Sequence, residues 1–337
     1  RWIYYTSGTT GGAKGARHTD GSVIAAARGA IGRHRKVPSD VSAIAWPFPH
    51  VGGVSMLASV LIAGGRLVLY DHFDPETTPM RMAAHGTTVL GSATPFFKAY
   101  VAAQRRYGER PLFPALRVCV AGGAAVPGSV SREVAEVLGV PGIVDAWGLT
   151  EFPVAASQTP EDPDIGTNVG LPTPGVRVRV VDGELRLKGP QCFLGYVDAS
   201  LDAEGFDEDG WFRTGDLGTV DTGGRIRITG RLKDVIIRNA ENISARDVEE
   251  ALLSHPAIAD AAVIGVPDPR TGERVCAVVV ARPGGREPTL DGLAEHCRAA
   301  GLARFKAPER LVVLDQLPRN PMGKVLKNEL RSALAEP

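Results

Sequence analysis

The sequence predicts an α/β protein with a large N-terminal domain and a small C-terminal α+β domain. Apolar runs alternate with helix-like stretches between residues 20 and 150, which is typical of α/β layers. After residue 175 apolar and charged residues alternate strictly, which indicates a small antiparallel β subdomain. A third pattern of strands and helices begins at Asp234. With 337 residues the chain is long enough for two domains.

Short apolar runs and one amphipathic stretch define the first part of the large domain. A helix is predicted over Pro127–Leu138, because Val130 and Val134 share a face and Gly139 ends the pattern. Trp2–Tyr4 is an apolar, strand-like run, and buried strands are predicted at Leu67–Tyr70, Thr88–Leu90 and Val118–Val120.

The β subdomain is predicted from period-two alternation. Val176–Val180 alternates, Asp182-Gly183 supplies a hairpin turn, and Leu185–Leu187 returns. Arg225–Ile228 repeats the alternation after a turn at Asp221–Gly224. Antiparallel pairing is therefore expected in this section.

The C-terminal domain is predicted to follow a charged junction at Gly230–Asp234. We therefore place the large domain at 1–230, a hinge at 231–233 and a mobile small domain at 234–337. Its expected elements are strands at Val235–Ile237, Ala262–Val266, Val275–Ala281 and Leu311–Leu314, and helices from a Ser244/Asp247 capping box to Leu253, near Leu290–Ala300 and from Val325.

Composition excludes several classes of protein. Lysines plus arginines equal aspartates plus glutamates, at 38 each, so no net charge favours nucleic acid or an anionic membrane. No uninterrupted apolar stretch is long enough to span a bilayer. The four cysteines, at 119, 192, 276 and 297, have neither zinc nor disulfide spacing, which favours a reducing cytoplasm. Nothing in the sequence signals an oligomeric state.

The glycine-rich segment at residues 6–15 has the composition of a phosphate-binding loop. Glycines allow backbone N–H groups to approach an anion, hydroxyls add donors, and Lys14 adds a positive charge. It is not a Walker A loop, because Lys14 lies between Ala13 and Gly15. The alternative is a glycine-rich linker. The candidate phosphate ligands are Thr6, Ser7, Gly8, Thr9, Thr10, Gly11 and Lys14.

A second motif runs from Asp145 to Glu151. Trp147 beside Gly148 offers a flat stacking face, and Thr150 and Glu151 offer oxygen ligands suited to Mg²⁺. Taken alone, the tryptophan is more often a core residue and the glutamate a solvated surface acid.

Two further motifs carry an acid and a lysine. Asp216 lies between glycines at the end of a predicted strand, where a carboxylate can accept hydrogen bonds from ribose hydroxyls. Its alternative is an ordinary turn aspartate. Lys324 follows Gly323 near the C-terminus, and such a lysine in isolation is usually a solubility residue.

Together these motifs resemble the acyl-adenylate-forming superfamily of acyl-CoA synthetases, adenylation domains and luciferases. The resemblance covers the chain from end to end and is nearest to the short-chain, cyclic or medium-chain acyl-CoA ligases. The motifs that carry it, in order, are Thr6–Gly15, Trp147–Glu151, Gly183–Leu185 through Gly195-Tyr196, Arg213–Asp216, Gly230–Asp234, Glu241–Ile243 and Gly323-Lys324.

The resemblance implies a two-step reaction. A carboxylic acid attacks the α-phosphate of MgATP to give acyl-AMP and pyrophosphate, and a thiol, usually that of CoA, then displaces AMP. By similarity, the loop ligands cradle the β- and γ-phosphates, and Glu151 with Thr6 binds Mg²⁺ beside Thr150. Lys324 bridges carboxylate and phosphate, and the small domain swings about Lys233. The implied nucleotide-binding residues are Gly123, Ala124, Asp145, Trp147 and Gly148 near adenine, and Asp216 and Arg231 at the ribose.

His50 matches a family position near the acyl and phosphate sites. Its alternative is a structural role in the run Pro47–Gly53.

The sequence departs from the family pattern at several places. Ala13 replaces a proline that is common in the loop, and Trp147 replaces the more usual tyrosine. Arg238–Ala240 stands where many relatives carry small residues, in a segment that the resemblance places along the pantetheine tunnel. Relatives also carry a long region before the loop, so the chain is expected to be N-terminally incomplete.

Competing functions remain within and outside the family. A carrier protein is the alternative acceptor, and a non-catalytic nucleotide- or acyl-CoA-binding remnant is the alternative to an enzyme. A P-loop NTPase fits poorly, because the Walker spacing fails. No aspartate in Phe48–Ser55 could bind an α-ammonium group, which favours a plain carboxylic acid over an amino acid.

Overall fold

The fold is described from a computed structural model, which covers residues 2–6, 13–123 and 126–334. The chain divides into two compact units. The first comprises 1–214, 219–228 and 321–323, and the second comprises 215–218, 229–320 and 324–337.

The first unit is built around a seven-stranded sheet in the order β4-β3-β5-β6-β7-β8-β9. The strands up to β13 are β1 (Trp2–Thr6), β2 (Lys14–His18), β3 (Val41–Ile44), β4 (Arg66–Leu69), β5 (Val89–Ser92), β6 (Val118–Gly122), β7 (Ile143–Trp147), β8 (Ala156–Ser157), β9 (Leu171–Pro172), β10 (Arg177–Val181), β11 (Glu184–Lys188), β12 (Phe212–Val220) and β13 (Ile226–Arg231). The helices are α1 (Asp20–Arg33), α2 (Val51–Ala63), α3 (Thr78–Ala84), α4 (Thr94–Tyr107), α5 (Gly128–Leu138) and α6 (Asp202–Gly205).

Strands β4, β3, β5, β6 and β7 are parallel, and β8 and β9 continue the sheet antiparallel. Helices α1 and α2 pack together, as do α4 and α5. A core cluster that includes Ile44, Leu90, Phe97 and Tyr100 lies between the sheet and its helices. The parallel strands thus bring their carboxyl ends to one edge, where ligands bind in open α/β sheets.

The β subdomain is a four-stranded sheet in the order β10-β11-β12-β13. Strands β10 and β11 pair antiparallel with Val181 opposite Glu184, so Asp182 and Gly183 form a two-residue turn. Both have positive φ, 51° and 81°, as a type I′ turn requires. A separate two-stranded antiparallel sheet joins β1 and β2.

The second unit contains a five-stranded sheet. Its order is β15-β14-β17-β16, with β18 parallel to β17. Helices α7 and α9 pack on β16, and α8 packs on α7. The further strands are β14 (Val235–Arg238), β15 (Glu241–Ser244), β16 (Ile258–Asp268), β17 (Gly272–Ala281) and β18 (Arg310–Val313), and the helices are α7 (Ala245–Leu253), α8 (Leu290–Ala299) and α9 (Lys327–Leu334).

The predicted elements are present, with shifted ends. The prediction that Leu67–Tyr70 is a buried strand is wrong for Leu69, which is 52% exposed because β4 is an edge strand. Helix α5 ends as predicted, because Gly139 takes a left-handed φ of 70° and its N–H bonds the carbonyl of Ala135. Ser244 caps α7 by accepting from the N–H of Asp247, and its hydroxyl also donates to the carbonyl of Thr229. The closing helix begins at Lys327 rather than Val325.

In the described ranges, no helix is both long and apolar enough to cross a bilayer. The boundary at 230 and the hinge at 231–233 remain predictions.

Candidate active site

The ends of the glycine-rich loop are fixed by strand pairing. Thr6 is the last residue of β1 and Lys14 the first of β2, and the two are opposite each other in the antiparallel pair. The predicted ligands Ser7, Gly8, Thr9, Thr10 and Gly11 lie outside the described residues.

Glu151 is a buried carboxylate of the first unit, at 9% exposure. Its Oε1 accepts a hydrogen bond of 2.8 Å from the hydroxyl of Tyr196. Burial and the charge of Glu151 raise the pKa of Tyr196 far above its ordinary range. The phenol therefore stays protonated and acts as a neutral donor to the carboxylate.

The segment that carries Tyr196 pairs with β2. Val197 donates its N–H to the carbonyl of Gly15 at 2.7 Å, and Ala16 and Tyr196 form an antiparallel bridge. The ammonium of Lys14 lies 5.6 Å from the centroid of the Tyr196 ring. The lysine that ends the loop is therefore placed on the ring whose hydroxyl holds Glu151.

His18, at the end of β2, supports the neighbouring residue of the motif. Its Nε2 lies 2.8 Å from the carbonyl of Thr150, and its Nδ1 lies 2.9 Å from the hydroxyl of Ser22. Burial lowers the pKa of His18, so the ring is neutral. Because a carbonyl only accepts, the proton is assigned to Nε2. We call Lys14, His18, Thr150, Glu151 and Tyr196 the Glu151 network.

Trp147 and Gly148 have clear structural roles at the end of β7. Trp147 is 7% exposed and packs in a cluster with Phe152 and Leu185, as expected of a core aromatic. A Cβ at Gly148 would lie 2.6 Å from the backbone nitrogen of Val154. The close approach of the following turn therefore requires glycine at this position.

The other residues predicted near adenine lie on adjacent strands. Asp145 is in β7, and its carbonyl accepts from the N–H of Gln158 and the hydroxyl of Ser157. Gly123 follows β6 with a left-handed φ of 82°. Ala124 lies outside the described residues. Strands β6 and β7 are parallel neighbours, so Gly123 and Trp147 lie at the same edge of the sheet.

His50 caps helix α2. Its Nδ1 accepts from the N–H of Gly52 at 3.1 Å, and its ring meets that of Trp46 edge to face at 6.2 Å. Because Nδ1 accepts, the ring proton is assigned to Nε2. The structural interpretation of His50 thus has a defined geometry, and its catalytic role remains a prediction.

Asp216 and Arg231 form an ion pair in the second unit. The Nε of Arg231 lies 2.6 Å from Oδ1 of Asp216, whose residue exposure is 3%. An aspartate this buried is stable as an anion only with such a partner.

Lys324 lies within electrostatic range of this pair. Partial desolvation and the charges of Arg231 and Lys233 lower the pKa of Lys324 to about 8, while Asp216 and Asp234 act in the opposite direction. Burial and Arg231 also lower the pKa of Lys233. We call Asp216, Arg231, Lys233, Asp234 and Lys324 the Lys324 cluster.

The backbone around Lys324 is held locally. The N–H of Lys324 donates to the side-chain oxygen of Asn320, and its carbonyl accepts from the N–H of Asn320. The carbonyl of Lys233 and the carboxylate of Asp234 both accept from Arg331 in α9. The cluster is thus fixed to the second unit by main-chain and ionic contacts.

The residues present fit a magnesium ion shared with a nucleotide. Within 2–6, 13–123 and 126–334, no three His, Cys, Asp or Glu side chains are grouped to hold a metal. Mg²⁺ usually takes one or two protein carboxylates and completes its shell with phosphates and water. A single oriented carboxylate, Glu151, matches that requirement.

The structure brings together residues that sequence reasoning listed separately, and it adds two that had no role. Lys14, Thr150 and Glu151 belong to one network, and Asp216, Arg231, Lys233 and Lys324 to one cluster. His18 was missed, and Tyr196 was noted only as part of a motif. Tyr196 and Glu151 are 45 residues apart and His18 and Thr150 are 132 apart, so no local spacing predicts either contact.

Comparisons with known proteins identify the family of the chain. The AMP-binding enzyme family matches residues 2–197, and the AMP-binding enzyme C-terminal domain matches residues 247–324. The chain is 34% identical over 344 residues to the medium-chain fatty-acid–CoA ligase of Escherichia coli (strain K12), covering 98% of this chain and 60% of the ligase. It is 35% identical over 344 residues to the sulfoacetate–CoA ligase of Cupriavidus necator, covering 97% of this chain and 66% of that ligase.

A solved structure of ATP-bound MatB from Rhodopseudomonas palustris is similar throughout this chain. The TM-score is 0.89 at 30% identity, over 99% of this chain and 68% of MatB. The chain thus spans about two thirds of the proteins that it matches. Its two family matches, its motifs and its fold establish that the chain belongs to the AMP-binding enzymes of the acyl-adenylate-forming superfamily.

Proposed function

We propose that the chain joins a carboxylic acid to ATP, releasing pyrophosphate and forming acyl-AMP. The acyl group then passes to the thiol of CoA, with AMP as the leaving group. The curated relatives described above are named CoA ligases, which supports this reaction.

The Lys324 cluster is the observation that carries the proposal. Adenylation requires an anionic carboxylate to approach an anionic α-phosphate, so the enzyme must supply positive charge where the two meet. The cluster concentrates the cations of Lys324, Arg231 and Lys233, and desolvation together with their mutual repulsion lowers the pKa of Lys324 to about 8. An anion bound beside them relieves that repulsion, which favours the reacting groups over water.

The Glu151 network supplies the complementary half of the chemistry. In this proposal Lys14 and the loop residues bind the β- and γ-phosphates, and Glu151 with Thr6 holds Mg²⁺ beside Thr150. The ion, when bound, neutralises charge on the phosphates. The carboxylate is oriented before binding by the hydroxyl of Tyr196.

The remaining nucleotide contacts follow the same assignment. Asp216 and Arg231 bind the ribose, and Gly123, Ala124, Asp145, Trp147 and Gly148 surround adenine. Lys233 is proposed as the hinge, and His50 is proposed to lie near the acyl group.

CoA is proposed as the acceptor, with a carrier protein as the alternative. Arg238–Ala240 departs from the small residues that the family carries there. Arg238 forms a two-point ion pair with Glu309 at 2.7 and 2.8 Å, which uses its charge within the second unit. Asn239 and Ala240 form the turn between β14 and β15 with positive φ.

We propose a cytoplasmic location. The cysteines at 119, 192, 276 and 297 are free thiols, and burial raises the pKa of each. Such inert thiols suit a reducing compartment.

ATP–pyrophosphate exchange tests the first step. We expect isotope exchange with at least one member of a panel of aliphatic, alicyclic and aryl acids. Absence of exchange with every acid, together with measurable ATP binding, would favour a non-catalytic nucleotide-binding protein.

Parallel reactions with CoA and with a phosphopantetheine-bearing carrier protein test which thiol accepts the acyl group. Thioester formation with CoA is expected. Transfer to the carrier alone would show that the assigned acceptor is wrong.

A further inference from the structure

We propose that Tyr196 is a positioning residue that fixes the metal-binding carboxylate and the phosphate-binding lysine relative to each other. This role rests on the proposed function, since it assumes that Glu151 binds Mg²⁺ and Lys14 binds phosphate. Tyr196 belongs to a motif, Gly195-Tyr196, for which neither the sequence nor the proposed reaction supplies a role.

The hydroxyl of Tyr196 orients Glu151. The bond of 2.8 Å is buried, and a donor that faces an ionised acceptor in a buried site is stronger than one in water. It engages Oε1, so it restrains rotation of the carboxylate. The carboxylate thus meets an incoming cation in one orientation.

The ring of the same side chain supports Lys14. The ammonium lies 5.6 Å from the ring centroid, within the range of a cation–π contact. One side chain therefore contacts the positive group through its face and the negative group through its hydroxyl. Lys14 and Glu151 share this single reference point although 137 positions of sequence separate them.

Tyr196 is held rigidly enough to serve as that reference. Its N–H donates to the carboxylate of Asp202 at 2.7 Å, and its backbone bridges to Ala16 of β2. Its ring packs edge to face on Phe193 at 4.9 Å, and the N–H of Phe193 donates to the carbonyl of Glu151. Main-chain bonds thus tie the ring to both partners that it positions.

Measurements of metal and nucleotide binding to the purified chain test the contact of the Tyr196 hydroxyl with Glu151 separately from the contact of its ring with Lys14. Tyr196→Phe keeps the ring and removes the hydroxyl, so the affinity for Mn²⁺ in the presence of ATP should fall roughly tenfold, about 1.4 kcal/mol. Its affinity for ATP without metal should stay unchanged. Tyr196→Leu also removes the ring, so metal-free ATP affinity should fall as well, by about threefold. Free Mn²⁺ is measured by electron paramagnetic resonance, and ATP binding by calorimetry.

Tyr100→Phe is the matched control. Tyr100 is fully buried in the core, and its hydroxyl has no hydrogen-bond partner among the residues described. Its removal should change neither affinity. A double-mutant cycle adds a second test: if the hydroxyl acts through Glu151, Tyr196→Phe should lower Mn²⁺ affinity no further in a Glu151→Gln background.

Wild-type Mn²⁺ affinity in folded Tyr196→Phe would overturn the proposal. Equal losses with and without metal, or additive losses in the cycle, would overturn it too. The proposed function fails separately: no pyrophosphate exchange in the unmodified chain, with the Mn²⁺ loss intact in Tyr196→Phe, would reject adenylation and retain the positioning role.

Discussion

The Glu151 network and the Lys324 cluster handle charge in opposite ways. In the first unit, one buried carboxylate receives a hydrogen bond from a neutral phenol, and a neutral imidazole supports the adjacent carbonyl. In the second unit, desolvation and the mutual repulsion of Lys324, Arg231 and Lys233 lower the pKa values of both lysines, while two carboxylates act in the opposite direction.

This difference suits the two groups to different tasks: the Glu151 network orients a carboxylate, and the Lys324 cluster supplies positive charge. Neutral donors hold a carboxylate in place without neutralising it, so it retains its charge for a cation. Crowded cations are individually less stable as charged groups, so they favour any anion that offsets their repulsion. In the proposed reaction, the Glu151 network is therefore organised before binding, and the Lys324 cluster gains most from binding. The following predictions test this contrast, from the largest expected effect to the smallest.

Removal of Lys324 from the Lys324 cluster should have the largest effect on activity. Lys324→Ala should slow adenylation on the order of a thousandfold, as loss of a charge-stabilising group in a reaction centre does. The thioester half-reaction, started from preformed acyl-AMP, should change much less. Pyrophosphate exchange and single-turnover thioester formation measure the two steps.

Lys306→Ala is the control, since Lys306 pairs with Asp247 elsewhere in the second unit. Equal losses in both half-reactions of Lys324→Ala would contradict the role assigned to Lys324.

Rigid packing beside Glu151 should make Gly148→Ala destabilising by about 3 kcal/mol. The new Cβ would meet backbone atoms at 2.6 and 3.0 Å, which cannot move aside as a flexible side chain can. Denaturant unfolding followed by circular dichroism measures the loss. Gly32→Ala in α1 is the counterpart, because nothing lies within 4 Å of its Cβ, and it should stabilise by about 0.5–1 kcal/mol. Similar unfolding midpoints for both variants would contradict rigid packing at Gly148.

The charge balance of the Lys324 cluster predicts a pH dependence. With a pKa lowered to about 8, Lys324 carries its charge below that pH, so adenylation should decline as pH rises through about 8. Asp216 raises this pKa. Asp216→Asn should therefore move the decline to lower pH and weaken ATP binding roughly tenfold.

Exchange rates from pH 6 to 9.5 give both profiles. Asp268→Asn removes a similarly buried partner, that of Arg274, and should leave the profile unchanged. If the decline in exchange rate occurs at the same pH in Asp216→Asn, a group other than Lys324 causes it.

The smallest effect is expected at the turn between β14 and β15. Ala240 has a left-handed φ of 63°, which costs a residue with a Cβ about 1 kcal/mol. Ala240→Gly should therefore raise the free energy of unfolding by up to about 1 kcal/mol. Thermal melts detect this change, and Ala251→Gly, inside α7, should show the opposite sign. A lower melting temperature for Ala240→Gly would contradict strain at this turn.

Much of the fold could be predicted from local patterns. The hairpin at Asp182-Gly183 and the end of α5 at Gly139 depend on residues within a few positions, and both are present. The last helix begins two residues later than predicted. The spacing of apolar residues identifies the buried face of a helix, but it does not fix the residue at which the helix begins. Trp147 could not be assigned between core and ligand stacking without its surroundings, which place it in a core cluster.

The sequence by itself determined the order of the motifs, the class of the fold and the family, because each depends on residue types at short spacing. Only the tertiary structure decided that Tyr196 holds Glu151, that His18 supports Thr150, and that Lys324 is crowded by Arg231 and Lys233. The first two contacts join residues that are 45 and 132 positions apart in the sequence. The third depends on the charges that surround the ammonium of Lys324. The physical reason is that strand pairing and burial, rather than local propensity, set the separation of distant side chains and the solvation of their charges.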